Sequence, residues 1–163
     1  MSAIREATAA DAPVVLALND EAFRLVSPLT GPRLDELAAM ACYFRVLSRE
    51  NSVVGFLMAF RKGAPYRNAN FEWFAERLDD FVYIDRVAID AALRGRNMAG
   101  LLYGDIAAFV RRAGAGRLTC EVDADPPNAR SLAFHDRQGF VEIGREPRAN
   151  GTRIVSLREK ILP

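Results

Sequence analysis

The sequence predicts an α/β fold, a mixed sheet of the α+β type, and three observations support that prediction. Alternating apolar segments pair as hairpins near both ends of the chain, with turns at residues 50–52 and 150–151. Residues 81–110 read as a strand that runs through a short turn into a long amphipathic helix. A further strand and helix follow, so the middle of the chain forms a βαβ unit.

Each element follows from a local pattern. Thr8 and Asn128 are N-cap residues ahead of apolar-periodic runs, Gly139 ends the last helix, and residues 27–32 break the first. The order is β-α-α-β-β-loop-β-α-β-α-β-β. The predicted elements are strand 3–6, helices 11–23 and 33–41, strands 43–48 and 53–60, helix 71–78, the strand and helix of residues 81–110, strand 118–122, helix 129–138, and strands 140–146 and 154–157.

Side-chain patterns also predict which faces turn inward. Apolar residues of the helix in the 81–110 segment recur at spacings of three and four, which is typical of a helix lying on a sheet. They are Met98, Leu101, Leu102, Ile106, Phe109 and Val110. The connection at 61–80 is unusually rich in aromatic residues, namely Tyr66, Phe71, Trp73 and Phe74. These rings either pack the connection onto the sheet or wall an acceptor pocket.

Length and composition place the chain among ordinary globular domains. Its 163 residues predict a single domain over residues 1–163, with half of the residues apolar. With a net charge of +1, the chain has no strong positive potential that would attract nucleic acid. No apolar run approaches the roughly 20 residues of a membrane span. Cys42 and Cys120 show no metal or redox spacing, and no secretory signal is seen at the start. We therefore expect a cytoplasmic protein without a metal site.

The turn from Arg94 to Asn97 indicates an anion site. A helix start leaves backbone N–H groups without partners and carries partial positive charge, so it binds phosphate readily. Gly95 lets the backbone come close to a ligand, the flanking residues Arg94 and Arg96 are cationic, and Asn97 and Ala99 are small. The turn is neither a P-loop nor a full dinucleotide fingerprint. The alternative is an ordinary basic turn that opens a surface helix.

Residues 89–99, IDAALRGRNMA, resemble the acetyl-CoA signature of the GNAT acetyltransferases. That signature stands at the start of a helix. It consists of Arg or Gln, any two residues, Gly, any one residue, and finally Gly or Ala. Arg94 and Ala99 match its first and last positions, and Asn97 stands at the middle glycine. The resemblance covers nearly the whole chain and implies the GNAT fold, with acetyl-CoA as cofactor. It implies that the pyrophosphate binds at Arg94, Gly95, Arg96, Asn97, Met98 and Ala99.

The resemblance also implies a course for the pantetheine arm. In the family, the fourth and fifth strands separate and pantetheine bonds to the open edge of the fourth. The matching residues are Val87, Ala88 and Ile89, which would act through their backbone, with an N–H near Val87 steadying the oxyanion. The same three residues are equally typical of a plain buried strand.

Carboxylates near this strand are candidates for the general base. Strand alternation places Asp85 on one face with Tyr83 and Val87, where it could take a proton from an incoming ammonium. Asp85 has two structural alternatives, an ion pair with a cation across the sheet or solvation at a bulge. Glu121, near the end of the fifth strand, is the rival base, and Asp123 is a weaker one.

A second block, residues 128–140, also resembles the family. Family members have an Asn whose side chain touches pantetheine and, after a phenylalanine, a tyrosine that points at the thiol. Here Asn128 matches the first, and His135 follows Phe134 where the tyrosine would stand. Asn128 and His135 lie seven residues apart, on one side of the helix. The hypothesis is that His135 assists the departing thiolate; the alternative is a histidine that only packs against cofactor or core.

Together these observations predict an N-acetyltransferase that moves an acetyl group from acetyl-CoA to a primary amine. The connection at 61–80 has the character of a pocket cover, which favours a small-molecule amine over a protein lysine. We expect no nucleic-acid or membrane partner, and a homodimer is compatible with the sequence. One alternative is an acyl-CoA-binding sensor or support domain without turnover. Another is a site for a different acyl donor or a different phosphate ligand.

Overall fold

The computed structural model describes residues 1–23 and 27–163, and this part of the chain forms a mixed α/β fold. The described elements are β1 Ser2–Glu6, α1 Ala12–Phe23, α2 Gly31–Met40, β2 Tyr43–Arg49, β3 Ser52–Arg61, α3 Ala69–Arg77, β4 Val82–Ile89, α4 Met98–Ala113, β5 Arg117–Asp125, α5 Ala129–Arg137, β6 Val141–Arg148 and β7 Arg153–Ile161. The element order and the fold class predicted from the sequence are confirmed.

The seven described strands follow the order β1-β2-β3-β4-β5-β7-β6. Internal contacts divide the chain into two compact units. The first unit contains residues 1–66 and 84–106, and the second contains residues 67–83 and 107–163. Strand β4 supplies its first two residues to the second unit and the remainder to the first. The assignment of residues 1–163 to one domain stays a prediction.

The first unit is built on the antiparallel strands β1, β2 and β3. Ser2 lies opposite Arg49 in the first pairing, and Tyr43 lies opposite Ala59 in the second. Of these three strands, β3 reads as a near-continuous apolar run because it is buried on both faces. The fully covered side chains include Val46, Leu47, Phe56, Leu57, Met58 and Phe60 from the strands, with Val15 and Leu37 from the helices.

The second helix begins earlier than predicted, at Gly31 instead of Arg33. The Thr30 hydroxyl accepts a hydrogen bond from the Arg33 N–H at 3.3 Å and caps the helix. Pro32 lies in the first turn, where its missing N–H costs nothing because that donor has no partner inside the helix. A segment that reads as a helix breaker therefore begins a helix.

The second unit is built on β5, β7 and β6, which pair antiparallel, with Glu121 opposite Leu157. The parallel ladder between β4 and β5 consists of two pairs, Val82 with Leu118 and Tyr83 with Thr119. The predicted cap and end of α5 are confirmed, since Asn128 Oδ1 accepts from the Ser131 N–H at 3.1 Å. Gly139 adopts a φ of 85° after the helix, as a left-handed C-terminal position requires.

Two aromatic residues of the 61–80 connection pack inside the second unit. Phe71 and Phe74 are buried, and their rings contact Phe81 at centroid distances of 5.4 and 5.9 Å. Both rings also contact Tyr83, at 5.8 and 6.1 Å. For these two residues the structure shows the packing alternative.

The third aromatic residue, Trp73, fixes α3 against β6. Its indole N–H donates to Glu146 Oε1 at 3.0 Å, and the Arg77 guanidinium lies 4.3 Å from the ring centroid. The ring lies directly over Gly144, where an added Cβ would be 2.5 Å from the indole Cζ2. Gly144 is therefore required by contact with Trp73.

The inward face of α4 differs from the prediction at one residue. Leu101 is 41% exposed, and the buried positions are Leu102, Tyr103, Ile106, Ala107 and Val110. Spacings of four from Leu102 define this face, and Leu101 lies about 100° away from it on the helix surface. The expectation that Leu101 points inward was wrong.

We predict that Gly144→Ala lowers the free energy of unfolding by roughly 1–3 kcal/mol, as overpacking does. The methyl would overlap the Trp73 ring, which is held on its other edge by Glu146. Urea titration followed by circular dichroism measures the change. The matched control is Gly104→Ala in α4, where no atom lies within 4 Å of the new Cβ. That variant should gain up to about 1 kcal/mol from helix propensity. Equal stability of Gly144→Ala and wild type would contradict the contact.

Candidate functional site

The turn that precedes α4 is shaped by two residues in the left-handed region. Gly95 has a φ of 81° and Asn97 a φ of 57°. Glycine adopts such angles without steric cost, and asparagine is among the few other residues that do so readily. Arg94, Gly95, Arg96 and Asn97 are all exposed. The chain therefore reverses direction at two residues whose backbone readily adopts positive φ.

The first turn of α4 presents backbone donors at this point. The Asn97 carbonyl accepts from the Leu101 N–H at 3.4 Å, so Asn97 stands at the N-cap. The N–H groups of Met98, Ala99 and Gly100 follow. Because they lie in the first turn, no helical carbonyl four residues earlier can accept a hydrogen bond from them. With Arg94 and Arg96 beside them, these donors can hold an anion such as a phosphate.

Gly100 is a residue of this turn that the sequence reasoning missed. An added Cβ there would lie 2.2 Å from Asn97 Oδ1 and 2.8 Å from Asn97 Cγ. The Asn97 side chain thus folds over the first helical turn, and a larger residue at position 100 would require that side chain to move. A glycine inside a predicted helix is the signal that could have identified this contact.

Residues Val87, Ala88 and Ile89 lie at the end of β4, next to β3. A Cβ on Gly55 of β3 would meet Ile89 Cδ1 at 2.5 Å and the Ala88 carbonyl oxygen at 2.9 Å. Ala88 is buried, whereas Val87 and Ile89 are half-buried. None of the three belongs to the ladder between β4 and β5, which ends at Tyr83.

Asp85 lies at the centre of a buried polar network in the first unit. Its Oδ1 accepts a short hydrogen bond from the Tyr66 hydroxyl, and its Oδ2 accepts from Arg86 Nε at 2.9 Å. The side chains of Asp85 and Arg86 are only 5% and 9% exposed. Tyr66 is held in turn by stacking on Phe60 at a centroid distance of 4.0 Å. Asp85 thus forms an ion pair, but its partner is the adjacent Arg86 of the same strand and not a cation across the sheet.

Arg86 extends this network to the segment around α1. Its Nη1 donates to Asn19 Oδ1 and its Nη2 to Ser27 Oγ, each at 2.9 Å. The Asn19 amide also donates to the Ser27 carbonyl at 3.1 Å. Asn19 is 1% exposed, so the guanidinium is enclosed and bonded on all its nitrogens.

Glu121 is bonded to Tyr83 in the second unit. The Tyr83 hydroxyl donates to Glu121 Oε2 at 2.6 Å, and Tyr83 itself is fully buried while Glu121 is half-buried. Asp123, the weaker candidate, forms an ion pair with Arg153, whose Nε lies 3.3 Å from Asp123 Oδ1. The sequence pattern named both carboxylates but gave no indication of their partners.

Asn128 caps the start of α5, and His135 lies in its last turn. Asn128 is exposed, whereas His135 is 6% exposed and lies edge-on to Phe134 and Phe140, at 5.3 Å from each ring. His135 Nδ1 lies 2.8 Å from the Ser131 carbonyl oxygen, which fixes that nitrogen as the donor. Burial lowers the pKa of His135, and the positive charge of Arg158 acts in the same direction.

Both thiols are unsuited to nucleophilic chemistry. Burial raises the pKa of Cys42 to about 11 and raises that of Cys120 well above its usual value. Among residues 1–23 and 27–163, no group of three or more His, Cys, Asp or Glu side chains could hold a metal ion. No described helix is both long and apolar enough to cross a membrane.

The fold is that of a mixed-sheet α/β protein with a cationic helix start at α4 that can hold an anionic ligand. The sequence profile of the acetyltransferase (GNAT) family matches residues 12–140. The chain therefore belongs to the GNAT family. A comparison with curated protein sequences finds no match.

Solved structures with the same fold span nearly the whole chain. Ard1 from Thermoplasma volcanium superposes with a TM-score of 0.78 at 19% identity, covering 99% of this chain and 98% of its own. The ribosomal-protein-S18-alanine N-acetyltransferase of Escherichia coli gives 0.75 at 14% identity, covering 99% and 94%. YncA of Salmonella typhimurium, solved with its cofactor acetyl-CoA, gives 0.74 at 17% identity, also covering 99% and 94%.

We predict that Asn97→Val lowers the free energy of unfolding by about 1–2 kcal/mol, because a β-branched side chain is strained at positive φ. Asn97→Gly should change it by less than about 0.5 kcal/mol. Chemical denaturation measures both variants. Asn150, with the same φ of 57° in the last hairpin, supplies the matched pair Asn150→Val and Asn150→Gly. A Val variant at position 97 as stable as the Gly variant would contradict the left-handed turn.

We predict that His135 titrates below about 6.5 in the folded protein, because burial disfavours the imidazolium. The unfolded chain then binds the proton more tightly. The contribution of neutral His135 to the free energy of unfolding should therefore be complete above pH 6.5 and decrease as the pH falls below that value. His135 is the only histidine, so its imidazole NMR signal reports this pKa without ambiguity. His135→Phe should lose less stability between pH 7.5 and pH 5 than wild type does. An NMR pKa at or above 6.5 would refute the prediction.

Proposed function

We propose that the protein is an acetyl-CoA-dependent N-acetyltransferase that acts on a primary amine. One observation supports this most directly. The residues matching the family signature, from Arg94 to Ala99, form an exposed left-handed turn with two arginines at a helix start. That is the geometry in which backbone N–H groups bind a pyrophosphate.

The residues of the first unit fit such a donor. A Cβ on Gly95 would meet no atom within 4 Å, so the turn has open space on its outer side. Arg94, Gly95, Arg96, Asn97, Met98 and Ala99 would hold the pyrophosphate, and the backbone of Val87, Ala88 and Ile89 would bond the pantetheine arm. The thioester supplies an acetyl group activated for attack by an amine.

The remaining roles fall to side chains that the sequence singled out. A carboxylate, Asp85 or Glu121, takes the proton from the incoming ammonium. The backbone N–H near Val87 steadies the oxyanion. Asn128 offers its amide nitrogen to pantetheine, since its Oδ1 is bonded to the Ser131 N–H. His135 donates through a ring nitrogen or packs against the cofactor.

We infer that the acceptor is a small-molecule amine. The 61–80 connection contains an ordered helix, α3, and it is anchored by Trp73 to β6. Such a fixed segment suits a pocket of constant shape better than a surface that admits many proteins. The E. coli relative is named for acetylating a protein alanine, so the N-terminal amine of a protein is the second candidate. We also infer a reducing cytoplasm, because Cys42 and Cys120 are both free.

The alternative is an acyl-CoA-binding domain of the same fold without turnover. The observation that favours it is the state of two candidate groups. Both oxygens of Asp85 are hydrogen-bonded, and His135 Nδ1 faces the Ser131 carbonyl. If Asp85, His135 and Glu121 all failed to transfer a proton, the domain would bind acyl-CoA without turnover.

Two measurements separate these functions. Thermal-shift titration with coenzyme A and with acetyl-CoA reports binding, and free-thiol detection against an amine panel reports turnover. The panel should hold polyamines, amino acids and amino sugars beside short peptides with free N-termini. Binding with thiol release supports the enzyme, and the responding amines decide between the two acceptor classes. Binding without thiol release identifies the sensor, and no binding refutes both.

We predict that Arg94→Glu raises the dissociation constant for coenzyme A at least tenfold, since a charge reversal at a phosphate contact costs more than about 1.4 kcal/mol. Isothermal titration calorimetry at low salt measures it. Arg112→Glu is the matched control, because it reverses an equally exposed arginine at the opposite end of α4. That variant should bind as wild type does. Unchanged affinity in Arg94→Glu would remove the turn from the binding site.

A further inference from the structure

The chain carries very few lysines for a protein with so many cations. It has 20 arginines but only two lysines, Lys62 and Lys160. Arginine supplies positive charge without a nucleophilic amine, because its guanidinium stays protonated. Acetyl-CoA, the cofactor discussed above, carries a thioester that a neutral amine can attack. The environment of each lysine therefore decides whether the cofactor itself modifies it.

Lys160 lies near the end of β7, on the same sheet face as Arg158. In the antiparallel ladder it stands opposite Leu118 of β5, and it is half-buried. Its side chain passes over the turn that ends α5, where a Cβ on Gly139 would lie 3.8 Å from Lys160 Cε. The aliphatic stem of this lysine is therefore held against the second unit.

The acidic side chains next to Lys160 form ion pairs with other cations. Glu159, its neighbour on β7, pairs with Arg117, whose Nη1 lies 3.2 Å from Glu159 Oε2. Asp136 of α5 pairs with Arg158. Among the described residues, none forms an ion pair or a hydrogen bond with the Lys160 ammonium. This cation is partly removed from water without a compensating carboxylate.

A second positive charge acts on Lys160 from the end of α4. Burial lowers the pKa of Lys160, and the positive charge of Arg111 acts in the same direction. Arg111 is exposed, and the acid that β6 contributes to this sheet face, Glu142, bonds Arg145 and Ser156. A lysine beside another cation and partly desolvated keeps more of its neutral, nucleophilic form than a fully hydrated lysine does.

We propose that Lys160 is a modification site that takes an acetyl group directly from acetyl-CoA, without catalysis and faster than Lys62. The proposal goes beyond the proposed function, since it needs the thioester but no turnover of an amine substrate. The lone pair of the neutral Lys160 Nζ attacks the acetyl carbon and forms the C–N bond. The C–S bond breaks, sulfur leaves as the thiolate with the electron pair, and water accepts the proton that nitrogen loses. The product is an amide without charge.

Peptide mapping by mass spectrometry tests the site in the whole chain, incubated with acetyl-CoA at about pH 8. Lys160 should be acetylated roughly threefold or more faster than Lys62, because the neighbouring cation and burial favour its neutral amine. Lys62 is the internal reference, since it is also half-buried and meets the same thioester at the same pH. Equal rates at the two lysines, or a faster rate at Lys62, would overturn the proposal.

Reversing the charge of Arg111 tests the cause of the reactivity. Arg111→Glu should slow the acetylation of Lys160 roughly threefold or more, because the glutamate stabilises the ammonium. Arg112→Glu is the matched control, since Arg112 is adjacent and equally exposed. That variant should leave the rate at Lys160 unchanged. If Arg111→Glu reacts as fast as Arg112→Glu, the like charge is not the cause and the proposal is overturned.

A titration gives a second readout that does not depend on access of the thioester. In protein labelled with ¹⁵N at lysine, the NMR signal missing in Lys160→Arg identifies Lys160, and only two lysine signals have to be separated. The pKa of Lys160 should lie below the ordinary lysine value of about 10.4 and rise in Arg111→Glu. A pKa at or above the ordinary value would overturn the proposal.

Two comparisons separate this site from the proposed function. Arg94→Glu, which should bind coenzyme A weakly, should still acetylate at Lys160 at the wild-type rate. Loss of that acetylation would show that the reaction needs the bound cofactor and would overturn direct transfer. If Lys160 reacts and no amine in the panel is acetylated, the proposed function fails and the modification site stands. If amines are acetylated and Lys160 reacts no faster than Lys62, the modification site fails and the function stands.

Discussion

The turn between β4 and α4 can exist only where two residues accept positive φ, and the proposed donor site depends on that constraint. Gly95 and Asn97 meet it, and the reversal they make brings the first N–H groups of α4 to the surface beside Arg94 and Arg96. A side chain with a branched Cβ at either position would alter the path of the chain. Asn97 stands at the position of the middle glycine in the family signature. Gly100, three residues later, leaves space for the Asn97 side chain.

Close backbone approach is the second constraint on this region. Gly55 allows β3 to lie against the end of β4, within contact of Ala88 and Ile89. Gly144 does the same for the Trp73 ring in the second unit. Neither glycine has the positive φ that marks a turn, so conformation alone does not explain them. Each is needed because another group occupies the space of its missing side chain.

Strand β4 contributes to two polar networks that have different surroundings. Asp85 is only two residues after Tyr83 on β4, but one belongs to a saturated ion pair and the other donates to a half-buried carboxylate. Buried ion pairs are costly unless each partner is satisfied, and the Asp85–Arg86 pair meets that condition through Tyr66, Asn19 and Ser27.

The sequence by itself determined the order of elements, the caps at Asn128 and Gly139, and the position of the turn before α4. These are local properties, set by side chains within a few residues of one another. Only the tertiary structure decided which face of α4 is buried, that Pro32 lies in the first turn of α2, and that β7 continues through charged residues to Ile161. Arg158 there is 7% exposed because it bonds Asp136, a partner 22 residues away. The pairing of Asp85 with Arg86 and of Glu121 with Tyr83 was likewise hidden, since hydrogen bonds across the fold depend on atoms that no local pattern brings together.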